Sequence, residues 1–139
     1  MKPLFFTLTL LLLSSTQVFS QTSDLSIDVI IDNIKSDQGT IKIGLYKSEE
    51  TFLRNPIKSI SEKAKKEGIK VTFENLEEGE YAISLYHDED DNQKLNTFFK
   101  IPTEPYGTSN NAKGKFGPPK WEDAKFKVSD TKETQHITL

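Results

Sequence analysis

The sequence predicts an all-β fold, namely an antiparallel β-sandwich of immunoglobulin-like or transthyretin-like type with about seven strands and one long ordered loop at residues 88–121. Three observations support this prediction. Apolar and polar residues alternate with a period of two in several short segments, as in strands with one buried face. Turn-forming residues separate these segments, and no long helical pattern interrupts them. Because a single sheet would leave every apolar face in water, the strands need a second sheet to pack against.

The first four predicted strands form two pairs. LSIDVIID at 25–32 and GTIKIGLYK at 39–47 alternate in this way, and the serine, aspartate and glycine between them favour a turn, which predicts a hairpin. IKVTFENL at 69–76 and EYAISLYHD at 80–88 repeat the pattern around Glu77-Glu78-Gly79, which predicts a second hairpin. AKFKV and HITL near the end of the chain supply at least two further strands.

The segment at 57–66 fits two interpretations. Ile57, Ile60 and Ala64 follow Pro56 and would share one face of a helix that Gly68 ends. The same segment also suits the edge strand of a sandwich, since its many lysines and glutamates would protect a free edge from pairing with other chains. We favour the strand.

Residues 1–20 have the pattern of a cleaved signal peptide. A short basic start precedes an apolar run at 4–13, and Val18-Phe19-Ser20 supplies a small-residue cleavage site. The apolar run is too short for a spanning helix, which needs about 20 residues, so we expect no integral membrane segment after cleavage. A retained signal anchor is the alternative. The expected location is secreted or periplasmic.

Residues 21–139 are long enough for one domain with its own core. The chain has no cysteine, which excludes a disulfide framework and a lipid-carrying cysteine. Without Lys2, 17 basic residues face 21 acidic residues, a formal charge of −4 (17 − 21). This balance argues against nucleic acid as a partner, and the mixed signs leave no basic stripe for a membrane surface.

The loop at 88–121 lacks sustained alternation, and loops of this length are usually either functional or disordered. Aromatic and apolar residues favour order, because such side chains normally pin a loop to the body of a domain: Phe98, Phe99, Ile101, Tyr106, Phe116 and Trp121. The loop either packs over an open end of the sandwich or presents a ligand platform. The candidate ligand-binding residues are His87, Glu104, Tyr106, Asn110 and Trp121. The expected partner is an extracytoplasmic glycan, peptide or protein.

Three motifs follow one another in this half of the chain: YAISLYHDEDDNQKLN at 81–96, KIPTEPYGTSNN at 100–111 and GPPKWEDA at 117–124. Together they resemble the signature of the domain of unknown function 2141 family of exported bacterial proteins, and the resemblance extends from about Gly39 to the C-terminus. It implies a small extracytoplasmic β-sandwich and brings no established activity. The chain departs from the family pattern at Asp90, Asp91, Gln93, Asn96, Lys100 and Trp121.

Oxygen-bearing groups recur at alternate positions from the end of the YAISLYHD strand, which is the spacing by which a tight loop surrounds calcium. Positions 1, 3, 5, 7 and 9 are Asp88, Asp90, Asn92, the Lys94 carbonyl and Asn96. Gln93 replaces the usual turn glycine and Phe99 the usual bidentate glutamate, so a Ca²⁺ site here is expected to be weak, with a dissociation constant of about 10⁻⁴ to 10⁻³ M. Glu104 is available to complete the shell. The favoured interpretation is a solvated acidic turn that caps backbone amides without metal, and the weak Ca²⁺ site is the alternative.

His87 continues the inward phase of Tyr81, Ile83 and Leu85, so we expect its ring at the rim of the core, bonded to the loop backbone. His136 should face outward. These patterns predict an exported, non-catalytic binding or accessory domain. The alternatives are a small hydrolase-like enzyme that uses His87 and its adjacent carboxylates, and a purely structural envelope component.

Overall fold

A computed structural model describes residues 24–139, and the signal peptide predicted at 1–20 lies outside them. The strands are β1 (Leu25–Asp32), β2 (Thr40–Tyr46), β3 (Lys58–Lys63), β4 (Ile69–Leu76), β5 (Gly79–Asp88), β6 (Thr97–Phe98), β7 (Ile101–Pro102), β8 (Tyr106–Thr108), β9 (Phe126–Val128) and β10 (Lys132–Thr138). A 3₁₀ turn at Ser109–Asn111 and a short helix α1 (Trp121–Ala124) lie between β8 and β9. Over this described range, the structure holds no helix with the length and apolar character that crossing a membrane requires.

The strands form two main sheets, and the predicted all-β, sandwich-like fold is confirmed. In the first sheet β1 lies between β4, which is antiparallel to it, and β10, which is parallel. In the second sheet the order is β3, β2, β5 and β8, all antiparallel, and β9 pairs with the beginning of β5. A separate two-stranded hairpin, β6–β7, projects from the long loop.

The core lies between the two sheets, where the predicted alternation places one face of each strand. The largest inward side chains are at most 2% exposed, and they come from both sheets: Ile27, Val29, Ile31 and Phe73, and Ile41, Ile43, Leu45, Ile83 and Leu85. Complete burial of a side chain of this size contributes about 1.5–3 kcal/mol. In a chain without cysteine, this apolar layer is the main source of stability.

Both predicted hairpins are wrong. β1 and β2 lie in different sheets, and so do β4 and β5. The connection at 33–39 and the one at Glu77–Glu78 therefore carry the chain across the core from one sheet to the other. Turn residues mark where a strand ends, but they fit a crossing between sheets as well as a reversal within one sheet.

The strand predicted within 57–66 is present. It is β3, an edge strand that pairs with β2 alone along residues 58–63. Its burial pattern is mostly exposed, so the lysines and glutamate of KSISEK lie along the free edge of the second sheet. This placement agrees with charge as a protection against edge-to-edge association.

The outer face of the first sheet is held together around one carboxylate. Asp28 on β1 is 4% exposed, and its Oδ2 lies 2.7 Å from Lys70 Nζ of β4 and 2.9 Å from Lys132 Nζ of β10. Thr72 donates a further hydrogen bond of 2.8 Å to Oδ1. The hydrogen bonds from Lys70, Lys132 and Thr72 hold the pKa of Asp28 well below its usual range. The ion pairs thus link all three strands of this sheet.

A second apolar cluster attaches the end of the long loop to the outer face of the second sheet. It contains Tyr46, Phe52 and Trp121, with edge-to-face ring pairs at 5.4 and 5.8 Å. Ser109 reinforces this attachment, since its buried Oγ accepts a hydrogen bond from the Ile83 N–H at 2.9 Å and donates one to the Ala124 carbonyl at 2.6 Å. The loop predicted as ordered is therefore tied to β5.

Candidate metal centre

The candidate centre begins where β5 ends, at Asp88. This side chain is fully buried, and each of its carboxylate oxygens accepts a backbone hydrogen bond from the loop that follows. Asn92 N–H donates to Oδ1 at 3.0 Å and Gln93 N–H donates to Oδ2 at 2.9 Å. Asp91 (φ +54°) and Gln93 (φ +68°) adopt left-handed backbone conformations, so the chain makes the tight turn without the glycine expected at residue 93.

Asp90 lies on the solvent side of the same turn. Its Oδ2 accepts hydrogen bonds from the side-chain amides of Asn96 at 2.9 Å and Asn92 at 3.0 Å, and its Oδ1 accepts one from the Asn92 backbone at 3.2 Å. The hydrogen bond from Asn96, helped by the Asn92 backbone, outweighs desolvation and lowers the pKa of Asp90. Asp90 is therefore ionised at neutral pH.

Glu104 reaches the turn from the far side of the β6–β7 hairpin. It is 6% exposed, with Oε1 accepting the Glu89 N–H at 3.0 Å and Oε2 accepting the Asn96 N–H at 2.8 Å. The Glu104 side chain thus links the start and the end of the turn at residues 89–96. Burial raises the pKa of the nearby Tyr86, and the negative charges of Asp88 and Glu104 raise it further, so this phenol stays protonated beside the carboxylates.

One carboxylate oxygen from each of Asp88, Asp90 and Glu104 lies within 4.8 Å of the other two. Calcium binds oxygen at about 2.3–2.6 Å, so two ligands on opposite sides of the ion are about 4.6–5.2 Å apart. Separations within this limit are compatible with one calcium coordination sphere.

The amide side chains of Asn92 and Asn96, which are also predicted metal ligands, lie beside the three carboxylates but turn their oxygens away from Asp90. Asn92 Oδ1 accepts the Lys94 N–H at 2.9 Å, and Asn96 Oδ1 accepts an N–H from the Asn92 side chain at 2.6 Å. Both amide nitrogens therefore face Asp90. Rotation of either amide by half a turn would exchange its nitrogen for an oxygen on that side. The Lys94 side chain is exposed.

His87 has the inward orientation that the sequence predicts, but the hydrogen-bond partner of its ring is not in the loop at 88–121. The ring is fully buried, and its Nε2 lies 2.6 Å from the Gln38 carbonyl in the connection between β1 and β2. Its Nδ1 has no hydrogen-bond partner within residues 24–139, and Glu89 Oε1 lies 3.9 Å away. The hydrolase-like alternative requires that a substrate reach this imidazole. The ring is fully buried, so a substrate has no access to it. His136 is exposed, as predicted.

Two of the other predicted ligand-binding residues, Asn110 and Trp121, have structural roles, whereas Tyr106 lines a groove together with Glu104. Trp121 is 6% exposed and packs on Phe52, so its ring offers no free face to a ligand. Asn110 donates hydrogen bonds from its side chain to the carbonyls of Asp123 at 3.2 Å and Lys125 at 2.9 Å, which is a structural role. Tyr106, at 39% exposed, lies on β8 directly opposite Tyr86.

Four of the residues that were expected to pin the loop to the body of the domain do not pack against that body. They are exposed by 67%, 84%, 68% and 104%: Phe98, Phe99, Ile101 and Phe116. The first three belong to the β6–β7 hairpin, whose base is joined to the carboxylates through Asn96 and Glu104. Sequence reasoning missed this arrangement because aromatic content alone does not distinguish a buried ring from a projecting one.

Comparison with known proteins adds one finding. No curated protein and no solved structure matches this chain. Residues 29–136 match the family described as an uncharacterized protein conserved in bacteria, DUF2141. This range contains most of both main sheets and the three converging carboxylates. The resemblance drawn from the motifs between residues 81 and 124 is thus confirmed, and the chain belongs to the DUF2141 family.

Proposed function

We propose that this protein is an extracytoplasmic, non-catalytic binding or accessory domain whose loop at 88–104 binds Ca²⁺. The observation that carries the proposal is the convergence of carboxylate oxygens from Asp88, Asp90 and Glu104 within 4.8 Å. The extracytoplasmic location rests on the signal-peptide pattern of residues 1–20. Calcium sites in modules that work outside the cell typically have dissociation constants of about 10⁻⁴ to 10⁻³ M.

The available ligands suit a hard cation. Calcium takes about 6–8 oxygen ligands. Three carboxylates supply the first of these, the rotated amides of Asn92 and Asn96 supply two more, and water completes the shell. Asp90 borders an open polar groove that also exposes Thr40 and Lys42, so the ion has a route from solvent.

Backbone hydrogen bonds support preorganisation of the two buried ligands. Asp88 and Glu104 together accept four of them, from residues 89, 92, 93 and 96. These donors keep the carboxylates in place before an ion arrives, so little ordering accompanies binding.

The direct test is the melting temperature measured against calcium concentration, with magnesium in parallel. At ten times its dissociation constant, a ligand specific for the native state adds RT ln 11, about 1.4 kcal/mol, to the free energy of unfolding. For a domain of this size we expect a rise of about 4–8 °C with Ca²⁺. Magnesium should give a clearly smaller rise, because it demands near-ideal octahedral geometry and loses its bound water reluctantly. No calcium response in the millimolar range, or an equal response to both ions, contradicts the proposal.

A matched pair of variants separates a specific site from general charge screening. Asp90→Asn removes one converging carboxylate, whereas Asp91→Asn makes the same change in charge at the neighbouring residue, whose carboxylate accepts a hydrogen bond from Thr40 instead. Both positions are exposed, so both variants should fold. Asp90→Asn should weaken calcium binding at least about tenfold and Asp91→Asn by less than about threefold. Equal losses would show that the ion responds only to the net charge of the loop.

A further inference from the structure

The β6–β7 hairpin is a small projecting element with apolar side chains at its tip. Phe98 pairs with Ile101, and the two turn residues between them are Phe99 and Lys100. Phe98, Phe99 and Ile101 are 67%, 84% and 68% exposed. The Phe98 and Phe99 rings meet edge to face with centroids 4.5 Å apart. The tip is therefore an aromatic knob with a lysine at its apex.

The turn chemistry of this hairpin is unfavourable for folding alone. Phe99 (φ +47°) and Lys100 (φ +65°) both adopt left-handed conformations, as a two-residue turn with matching twist requires. Asn-Gly or Asp-Gly is strongly preferred at such a pair, and a phenylalanine there is strained. Strain of this kind persists where the side chains serve a function.

We propose that this tip inserts into the interfacial region of a lipid bilayer. The hairpin base is fixed to the body, since Glu104 accepts both the Asn96 N–H and the N–H of Glu89, which directly follows β5. The three residues from Asn96 to Phe99, at about 3.3 Å each, place the rings about 10 Å beyond that base. Apolar groups of interfacial proteins are buried about 5–10 Å deep, so the knob reaches this region while the body stays in water.

A bilayer suits the shape and chemistry of the knob better than a protein surface does. The tip is convex, and its exposed rings and isoleucine need surrounding on several sides, which soft lipid provides without a preformed pocket. Lys100 at the apex can extend its ammonium group back to lipid phosphates while its alkyl stem stays among the chains. Interfacial amphipathic helices likewise combine buried Phe, Trp or Leu side chains with cations that face the lipid headgroups.

The charge of the loop determines whether the hairpin binds neutral or anionic lipid better. Only this part of the proposal rests on the proposed calcium site. Residues 88–104 carry five acidic side chains and two lysines, a formal charge of −3 (2 − 5). The carboxylates lie about 10 Å from the tip, which is close to the Debye length at physiological salt, so they repel an anionic surface. A bound Ca²⁺ reduces this charge to −1. Insertion into neutral lipid should therefore be independent of calcium, and insertion into anionic lipid should increase with it.

The test is co-flotation of the purified protein with phosphatidylcholine vesicles and with mixed phosphatidylcholine–phosphatidylglycerol vesicles, each with and without calcium. We expect binding to neutral vesicles under both conditions. Phe99→Asn should reduce it about tenfold, since one buried ring is lost. Asparagine suits the left-handed turn, so the variant should melt no lower than the parent protein, which separates insertion from folding.

The control is Phe116→Asn, which removes a fully exposed ring from a different loop. It should leave vesicle binding within about twofold, because scattered exposed rings do not act as anchors. The membrane proposal is overturned if the parent protein ignores neutral vesicles, or if the two variants lose binding equally. Asp90→Asn should abolish only the calcium-dependent part on anionic vesicles. A failure there, with neutral binding intact, would contradict the calcium site and leave the hairpin proposal standing.

Discussion

Gly39 is the point at which the first connection between the sheets touches the candidate metal loop. Its φ is +73°, and a Cβ added there would lie 2.1 Å from the Asp88 carbonyl oxygen and 2.7 Å from Glu89 Cα. A left-handed conformation costs an L-residue about 1–2 kcal/mol. Forced movement of packed backbone costs about 1–3 kcal/mol more. Gly39→Ala should therefore lower the free energy of unfolding by about 2–5 kcal/mol.

The assay is urea unfolding followed by the fluorescence of Trp121, which is buried and is the only tryptophan in the chain. The control is Gly117→Ala, because a Cβ at that position would meet no atom within 4 Å. The control should stay within about 0.5 kcal/mol of the parent protein. Comparison of the two variants gives the combined cost of the contact and of the left-handed conformation, since both make the same chemical change and only Gly39 has these two features.

The same substitution should also weaken calcium binding, since relief of the clash displaces the backbone that carries Asp88. The calcium-dependent rise in melting temperature is the second measurement, taken on the folded fraction. If Gly39→Ala unfolds like Gly117→Ala, the close approach of the two loops is wrong. If it is destabilised but keeps the full calcium response, the argument that this contact positions the carboxylate fails.

Two further predictions concern the body of the domain. The neighbouring Lys70 and Lys132 lower the pKa of Asp28. The stability that this carboxylate contributes is therefore present above the unfolded pKa of about 3.9 and is lost as the pH falls further. Asp28→Asn should therefore melt lower than the parent at neutral pH and show a shallower decline below about pH 4 in scanning calorimetry; parallel curves would contradict this. Ser109→Ala removes the partner of the Ile83 N–H and the Ala124 carbonyl, so it should cost about 2–4 kcal/mol in urea unfolding. Ser59→Ala on the exposed edge strand should cost less than about 0.5 kcal/mol, and equal losses would refute the buried role of Ser109.

The strands could be predicted from the sequence because their signal is local. Alternation of apolar and polar residues sets which face of each strand is buried, and β1, β2, β4 and β5 all follow it. Pairing could not be predicted in the same way. The parallel contact between β1 and β10 joins opposite ends of the described chain, and no short-range pattern encodes it. The two wrong hairpins have this same origin.

In the candidate site too, the local features could be predicted from the sequence and the long-range contacts could not. The spacing of Asp88, Asp90 and Asn92 is local, and the loop folds around it as predicted. The phase of β5 also predicted that His87 faces inward. Its partner, the Gln38 carbonyl, lies 49 residues away in sequence and has no signature that marks it. Glu104 was an available carboxylate, and only the hairpin between it and Asn96 explains why it arrives at the turn.

Hydrogen bonding explains the position of the acidic residues in this loop but not their charge. A turn needs acceptors for its backbone N–H groups, and asparagine or serine would supply them without repulsion. Here three carboxylates bring oxygens within 4.8 Å of one another, and two of them are buried, where like charges are least screened. The lowered pKa of Asp90 keeps this exposed carboxylate ionised at neutral pH. The divalent cation that we propose would account for this arrangement because it would convert the repulsion into binding energy. It would do so at the base of the β6–β7 hairpin, whose apolar side chains are exposed to solvent.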